Sequence, residues 1–370
     1  MIPFNRPYVP EASKKYALEA LQSDHQQGDG PFTNRVSKMV SDLVGGGYVL
    51  LTPSCTHALE MASMLGNFGP GDEVILPSFT FTSAATAVAK FGATPVFVDI
   101  DPATKCIDAN QVAEAVTNKT VAISWVNYAG EAPDIEGLQS ISKTHDLLLI
   151  EDNAHGLGGL YKGKPLGSFG DFATQSFHAT KNIQCGEGGA IVINTPKYIE
   201  RAEIIREKGT NRSKFVRGEV QKYQWVDNGS SYLLSETQAA ILLGQLENFD
   251  SIQQTRFSQS LNYYEGLKKW ANSNFVSMFY NAVAHMFYLE FASAENSKNF
   301  QLELKKSGVM VYSHYQPLHS SEAANLLRIK KLDCKISEKI SKNLIRLPVW
   351  SDRKSYELEI IEKIIKVNLR

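Results

Sequence analysis

Cysteine is scarce in this chain. The four cysteines, Cys55, Cys106, Cys185 and Cys334, lie far apart and form no CxxC pair. Neither a disulfide framework nor a cysteine-based metal site is therefore expected. An excess of one charge sign is missing too: 38 Lys and Arg stand against 39 Asp and Glu, a net charge of −1. That balance gives no electrostatic basis for gripping nucleic acid or an anionic membrane. Long apolar runs are also absent, and none approaches the roughly 18 residues of a membrane span. The opening MIPFNRPYVP lacks the charged-then-apolar order of a secretory leader. The expectation is a cytoplasmic protein.

What is present is ordinary for a globular enzyme, with 43% hydrophobic and 21% charged residues. At 370 residues the chain exceeds the size at which one hydrophobic core stops growing, so two domains are expected. From about residue 30 to 245, short apolar runs alternate with helical segments. VILP at 74–77, VFVDI at 96–100, AISWV at 122–126 and LLLIED at 147–152 read as buried strands. HALEMASML and GLQSISKTH between them read as helices. The pattern predicts an α/β fold with a mostly parallel central sheet covered by helices. Past residue 245 the apolar runs thin out. QTRFSQSLNYYEGLKKW reads as a helix, HMFYLEF and VMVYSHY as strands, and SYELEIIEKIIKVNL as an amphipathic helix. A large domain over 1–245, with an N-terminal arm, and a smaller α+β domain over 246–370 are predicted.

Some residues carry chemical promise. Asp152 ends the apolar strand LLLIED, and open α/β sheets bind ligands beyond the carboxyl ends of their strands. By itself it is equally a loop or capping carboxylate. A functional role needs a partner that wants a buried anion, such as the protonated ring nitrogen of pyridoxal phosphate. Lys181 lies in SFHATKNIQCGEGGA, among small and polar residues and ahead of Gly186, Gly188 and Gly189. A lysine that attacks a carbonyl must be sheltered enough to spend time neutral. In TPSCTHALEMA, Ser54, Cys55 and Thr56 precede a helical run, where open backbone N–H groups receive a phosphate. Ser176 offers a further hydroxyl, Phe81 a surface for stacking, and His155 a hydrogen bond to a ring oxygen. His314, Tyr315 and His319 in SHYQPLHSS suit a substrate pocket. No carboxylate or cysteine completes a metal site there, and none is expected.

Taken together, GDGPFT, TPSCTHALEMA, GDEVILPSFTFTSAATA, VFVDI, IEDNAHGLGG, GSFGDFATQSFHATKN, GEGGAIVIN and SETQAAILLGQLE resemble the DegT/DnrJ/EryC1/StrS sugar aminotransferases. These motifs span most of the chain in the family's order. The resemblance implies fold type I among pyridoxal-phosphate enzymes and a homodimer. It casts Lys181 as the covalent anchor of the cofactor, Asp152 as the carboxylate facing its ring nitrogen and His155 as the group beside its ring oxygen. Phe81 becomes the stacking ring, and Cys55, Thr56 and Ser176 become phosphate ligands. REKGTNRSKF and DNGSSYLLS resemble the subgroup that aminates dTDP-4-keto-6-deoxyglucose with L-glutamate. Two positions depart from the common pattern. Where many members carry an Asn that reaches the partner subunit's phosphate, this chain has Ser231, as the subgroup does, with Asn228 nearby. Where the family often has a His close to the cofactor, VNYAG places Asn127. Related dehydratases put His at the lysine position, so Lys181 argues for amino transfer.

Overall fold

The computed structural model describes residues 1–370 apart from 328, 330, 331, 352–355, 368 and 370. Seven short apolar runs build the main sheet. They are β1 (Tyr48–Thr52), β2 (Glu73–Pro77), β3 (Thr94–Val98), β4 (Thr120–Val126), β5 (Leu148–Asp152) and, past a ribbon of β6 (Leu160–Tyr161) and β7 (Lys164–Pro165), β8 (Phe172–Ser176) and β9 (Gly189–Ile193). Their order across the sheet is β1-β9-β8-β5-β4-β2-β3. Strand β9 runs antiparallel to both its neighbours, and the other pairs are parallel. The fold is thus the mostly parallel α/β sheet that the sequence predicts.

Both faces of this sheet are covered, which is why its strands read as unbroken apolar runs. The two-residue period divides β1: Leu50 joins the core that includes Ala58, Leu59 and Ala62 of the helix Cys55–Leu65. Val49 and Leu51 join the opposite core, with Val36 and Val40 of the helix Pro31–Leu43 and Ala239 and Leu242 of the helix Glu236–Leu246. The same alternation splits the acid pair that ends β5. Glu151 is buried and accepts hydrogen bonds from Gly167 N–H (2.7 Å), Phe169 N–H (2.9 Å) and Asn127 Nδ2 (2.8 Å). Asp152 therefore faces the other way, toward the ligand side.

A smaller antiparallel sheet follows, with β10 (Ser277–Phe279), β11 (Phe287–Glu290), β12 (Tyr312–Ser313) and β13 (Leu344–Leu347) in the order β10-β11-β13-β12. Phe287, Leu289, Ile345 and Leu347 pack on Tyr263 and Leu267 of the long helix Phe249–Ser273 and on Ile360 and Ile364 of the helix Glu357–Ile365. That last helix falls inside SYELEIIEKIIKVNL, of which 355 and 368 lie outside the described residues. The strand predicted over VMVYSHY pairs in the ladder only at Tyr312 and Ser313. Its start is taken by the N-terminal arm, where Ile2 N–H meets Gly308 O at 2.7 Å and Met310 N–H meets Ile2 O at 3.1 Å. A carboxylate just past β3 fastens the two parts: Asp99 accepts from the N–H groups of Ile336 and Ser337, each at 2.7 Å, at the start of the helix Lys335–Asn343. No helix among the described residues is long and apolar enough to cross a membrane.

Candidate active site

A cavity of about 510 Å³ opens beyond the carboxyl ends of β2, β4, β5 and β8, where ligands bind in open α/β sheets. It gathers Ser54, Cys55, Thr56, Phe81, Asp152, His155, Ser176, Lys181, His314 and Tyr315. Residues more than 250 positions apart in sequence thus meet in one place. Asn228 and Ser231 are exposed and lie outside this cavity. His319 is also outside it, buried between Ser78 Oγ (2.6 Å) and Glu338 Oε1 (3.2 Å). Asn127, expected near the cofactor, belongs instead to the core, where it bonds Glu151 and Asn153, each at 2.8 Å.

Lys181 sits in the hairpin loop between β8 and β9. Lys181 N–H donates to His178 O and Ala179 N–H to Gly186 O, both at 2.8 Å, and Asn5 Nδ2 of the N-terminal arm holds Ala179 O at 3.0 Å. Burial lowers the Lys181 amine to about 8, and the Arg346 charge adds to the drop, while Cys55 and Asp152 act against it. Burial likewise pushes the Asp152 carboxyl up, opposed by the Ala154 N–H (3.1 Å) and the Lys181 charge. The two groups hold each other partway: the acid stays more ionised, and the amine more protonated, than burial alone would allow.

The helix Cys55–Leu65 begins at the cavity wall. Ser54 caps it, its Oγ accepting from His57 N–H. The N–H groups of Cys55 and Thr56 have no intrahelical acceptor by construction. Gly189 lies directly against this turn, since a Cβ there would come within 2.4 Å of Cys55 N and of Ser54 C. Thr56 Oγ1 pairs with Ser83 Oγ at 2.7 Å. The Cys55 side chain takes a different direction from the phosphate role read from sequence. Its Sγ lies 3.5 Å from Thr174 Oγ1 and 3.9 Å from Asp152 Oδ1, and burial together with Asp152 pushes the thiol well up. The thiol therefore stays protonated beside the acid, and only the Cys55 backbone serves the helix start. Phe81 is 58% exposed at the cavity, its ring 6.3 Å from that of Tyr315, whereas the neighbouring Phe79 is buried core.

A layer of rings closes the opposite wall. Ala129 N–H donates to His155 Nδ1 at 3.3 Å, so the proton sits on Nε2, which faces Tyr315 OH at 3.3 Å. Burial holds His155, His285 and His314 well below the usual imidazole range, so all are neutral. The His155 ring stacks on His285 at 4.3 Å and the His314 ring on Tyr315 at 4.0 Å. His285, Arg256, Arg346, Thr80, Phe4 and Asn5 also line the cavity and were missed from sequence. Only Arg346 left a trace there: a charged residue inside the apolar run LIRLPV.

These donors match pyridoxal phosphate part by part. An open helix start with nearby hydroxyls receives a phosphate, and the lack of a Cβ at Gly189 lets that start lie directly against β9. A buried carboxylate at a strand end suits a ring nitrogen that must stay protonated. A buried amine lowered to about 8 suits an aldehyde. Among the described residues no group of three His, Cys, Asp or Glu could hold a metal ion.

A profile of the DegT/DnrJ/EryC1/StrS aminotransferase family matches residues 7–366. The pleiotropic regulatory protein of Geobacillus stearothermophilus is 35% identical over 84% of this chain and 82% of its own length. The GDP-perosamine synthase of Caulobacter vibrioides is 35% identical over 66% of this chain and 64% of its own. Among solved structures, the putative sugar aminotransferase Spr1654 from Streptococcus pneumoniae in its PMP form superposes with a TM-score of 0.90 at 27% identity, covering 98% of both chains. PseC of Helicobacter pylori, an aminotransferase of pseudaminic acid biosynthesis, superposes with a TM-score of 0.88 at 26% identity over 98% of both. This chain therefore belongs to the DegT/DnrJ/EryC1/StrS aminotransferase family and is a pyridoxal-phosphate-dependent aminotransferase.

Proposed function

We propose that the enzyme is a nucleotide-sugar transaminase that moves the amino group of L-glutamate to C4 of dTDP-4-keto-6-deoxy-D-glucose. The product is a dTDP-4-amino-4,6-dideoxyhexose, galacto or gluco, for surface polysaccharide such as O-antigen, made in the cytoplasm. The observation that carries the reading is the buried Lys181 amine, lowered to about 8, in one cavity with the strand-end acid Asp152. The substrate class draws support from relatives whose names specify sugars: GDP-perosamine synthase, and DesI, solved in the presence of its TDP-sugar product. The finer choice of dTDP and of C4 rests on the REKGTNRSKF and DNGSSYLLS segments.

When bound, pyridoxal phosphate supplies the carbon that takes the amine and a ring that draws electrons from the reacting carbon. The protein's own groups do the rest. The helix start at Ser54, Cys55 and Thr56, with Ser176, would bind the phosphate. Phe81 would cover the ring and Asp152 would keep its nitrogen protonated. The neutral His155, with its proton on Nε2, would offer a hydrogen bond to the ring oxygen. Lys181 Nζ takes a proton from the α carbon of glutamate and later delivers one to the sugar carbon, acting as general base and then acid. Two substrates visit one site in turn, so ping-pong kinetics follow. His314 and Tyr315 line the side that the substrates enter.

The test is mass spectrometry and NMR of the product formed from dTDP-4-keto-6-deoxyglucose and glutamate. A new amine at C4 bears the reading out. Amination only of a 3-keto isomer would move the reaction to C3. A protein that shows no amino transfer with any keto sugar would be regulatory, a role that the regulatory-named relative keeps in view.

A further inference from the structure

Arg346 stands in the middle of β13, between buried Ile345 and Leu347, with Tyr288 and Tyr312 as its register partners on β11 and β12. Its side chain lines the cavity, and the Phe4 ring of the N-terminal arm lies 4.6 Å from the guanidinium carbon. Its Nε is buried without a hydrogen-bond partner, and among the described residues no carboxylate pairs with it. Lys181, two tyrosines (Tyr128 and Tyr315) and the neutral His155, His285 and His314 lie around it, none of them an anion at neutral pH. Two carboxylates, Asp152 and Glu187, line the same cavity, but among the described residues neither forms an ion pair with it. Arg256, the other buried arginine of this cavity, differs: its Nε meets Ala284 O at 3.0 Å and its Nη2 meets His285 O at 2.8 Å. Arg256 is tied to the backbone, while Arg346 offers its fork to the cavity.

We infer that Arg346 receives the α-carboxylate of the amino-acid donor. The inference rests on the transaminase reading above. A guanidinium cannot escape its charge by releasing a proton at neutral pH, and a buried charge without a partner is costly to fold. It is tolerated where a ligand brings the missing anion. Four anionic groups enter this site during turnover, and one of them, the γ-carboxylate of glutamate, has its carbon three bonds from the carbon that gives up its amine and so lies farther from Lys181 than the α-carboxylate does. The cofactor phosphate has the helix start at Cys55 and Thr56, whose open backbone N–H groups receive an anion. The diphosphate of a nucleotide sugar is separated from the reacting C4 carbonyl by the width of the hexose, so it must lie toward the mouth. The α-carboxylate of the donor is one bond from the carbon that gives up its amine, so it must lie close to Lys181. Arg346 lines the same cavity as Lys181 and Asp152. A planar fork matches a carboxylate with two parallel hydrogen bonds, and the face of Phe4 helps fix the plane of that fork.

The test uses the holoenzyme and its Arg346→Met and Arg346→Lys variants, with the two half-reactions followed separately by absorbance. In Arg346→Met, kcat/KM for glutamate falls about thirtyfold or more relative to its fall for the keto sugar. Arg346→Lys recovers part of that loss, because the charge returns without the fork. The parent prefers glutamate over 4-aminobutyrate, which lacks the α-carboxylate, and Arg346→Met loses that preference. Binding without turnover is read by spectral titration with 2-methylglutamate, and its dissociation constant rises in parallel. Without ligand, Arg346→Met melts at or above the parent temperature, since an unpaired buried charge has been removed. Unchanged glutamate dependence overturns the inference, as does a greater loss in the sugar half-reaction, which would give Arg346 to the diphosphate. A lower melting temperature with equal loss in both half-reactions makes it structural and overturns the inference too. A parent that aminates the sugar while these outcomes appear leaves the functional reading standing. A parent that transfers no amine from any amino acid sinks both.

Discussion

In the proposed reaction Lys181 combines anchoring and proton transfer because burial lowers its amine. An exposed lysine, near 10.5, is almost wholly protonated at pH 8, whereas the Lys181 amine at about 8 is half neutral there. Only the neutral amine attacks an aldehyde. The rate at which protein stripped of cofactor captures pyridoxal phosphate should therefore climb about tenfold per pH unit below 8 and level off above it. Stopped-flow absorbance between pH 6.5 and 9.5 checks this, and a rate still climbing steeply at pH 9.5 would mean the amine is not depressed. Lys181→Ala removes both capture and turnover, and near-parental turnover in that variant would sink the assignment. Asp152 carries a separate load. Its amide variant, Asp152→Asn, keeps nearly the same shape but cannot hold a proton on a ring nitrogen. Both half-reactions should slow by more than about tenfold, or 1.4 kcal/mol of barrier, with the melting temperature little changed. A smaller effect would take this role from Asp152.

At the scale of elements, the site depends on where strands stop and helices start. The runs at 74–77, 122–126 and 147–152 were legible because short, uninterrupted apolar stretches bounded by turn residues have few other solutions, and the observed strands overlap all of them. Asp152 was legible for the same reason, as a charge at the end of such a run. Arg256 and His285 were not, because they reach the cavity from a long helix and from a loop whose contacts are set by packing across more than 100 residues of intervening chain. Asn127 was misplaced because its role depends on pairing across to Glu151, which a one-dimensional pattern does not reveal. The contact of Gly189 with the Ser54–Cys55 turn is another feature set by sheet geometry. A methyl group there would meet backbone atoms at 2.4 Å, and backbone cannot swing aside as a flexible side chain can. Gly189→Ala should push β9 and the helix start apart. The expected cost is about 1–3 kcal/mol of stability, and the apparent affinity for pyridoxal phosphate should drop by about tenfold or more because the phosphate-binding amides shift. Fluorescence titration of the cofactor-free protein measures the affinity, and unchanged affinity would show that the turn is not part of the cradle.

At the scale of the whole molecule, part of the expected cofactor site falls outside the cavity of a single chain. Asn228 and Ser231 lie outside the cavity, on a surface where Tyr223, Trp225 and Val226 are also exposed, Trp225 by 76%. Large exposed rings grouped with aliphatic side chains mark a contact surface. The family resemblance of DNGSSYLLS points that surface at a second copy, so the active form should be a homodimer in which Asn228–Ser231 of each chain borders the cofactor site of the other. A two-fold dimer repeats the patch on both chains, so two shared sites form together. The prediction is tested with two inactive variants, Lys181→Ala and one altered across Asn228–Ser231, each confirmed as folded. When they exchange subunits at equal amounts, about half the dimers are mixed. In a mixed dimer, one site joins the intact Lys181 of one chain to the intact Asn228–Ser231 segment of the other, while the second site carries both lesions. Activity should thus return to about a quarter of the parental value, half the dimers with one working site of two. If each chain instead built its whole site alone, every site would keep its own lesion and mixing would restore nothing. Proven exchange with no recovered activity would therefore assign both segments to a single chain.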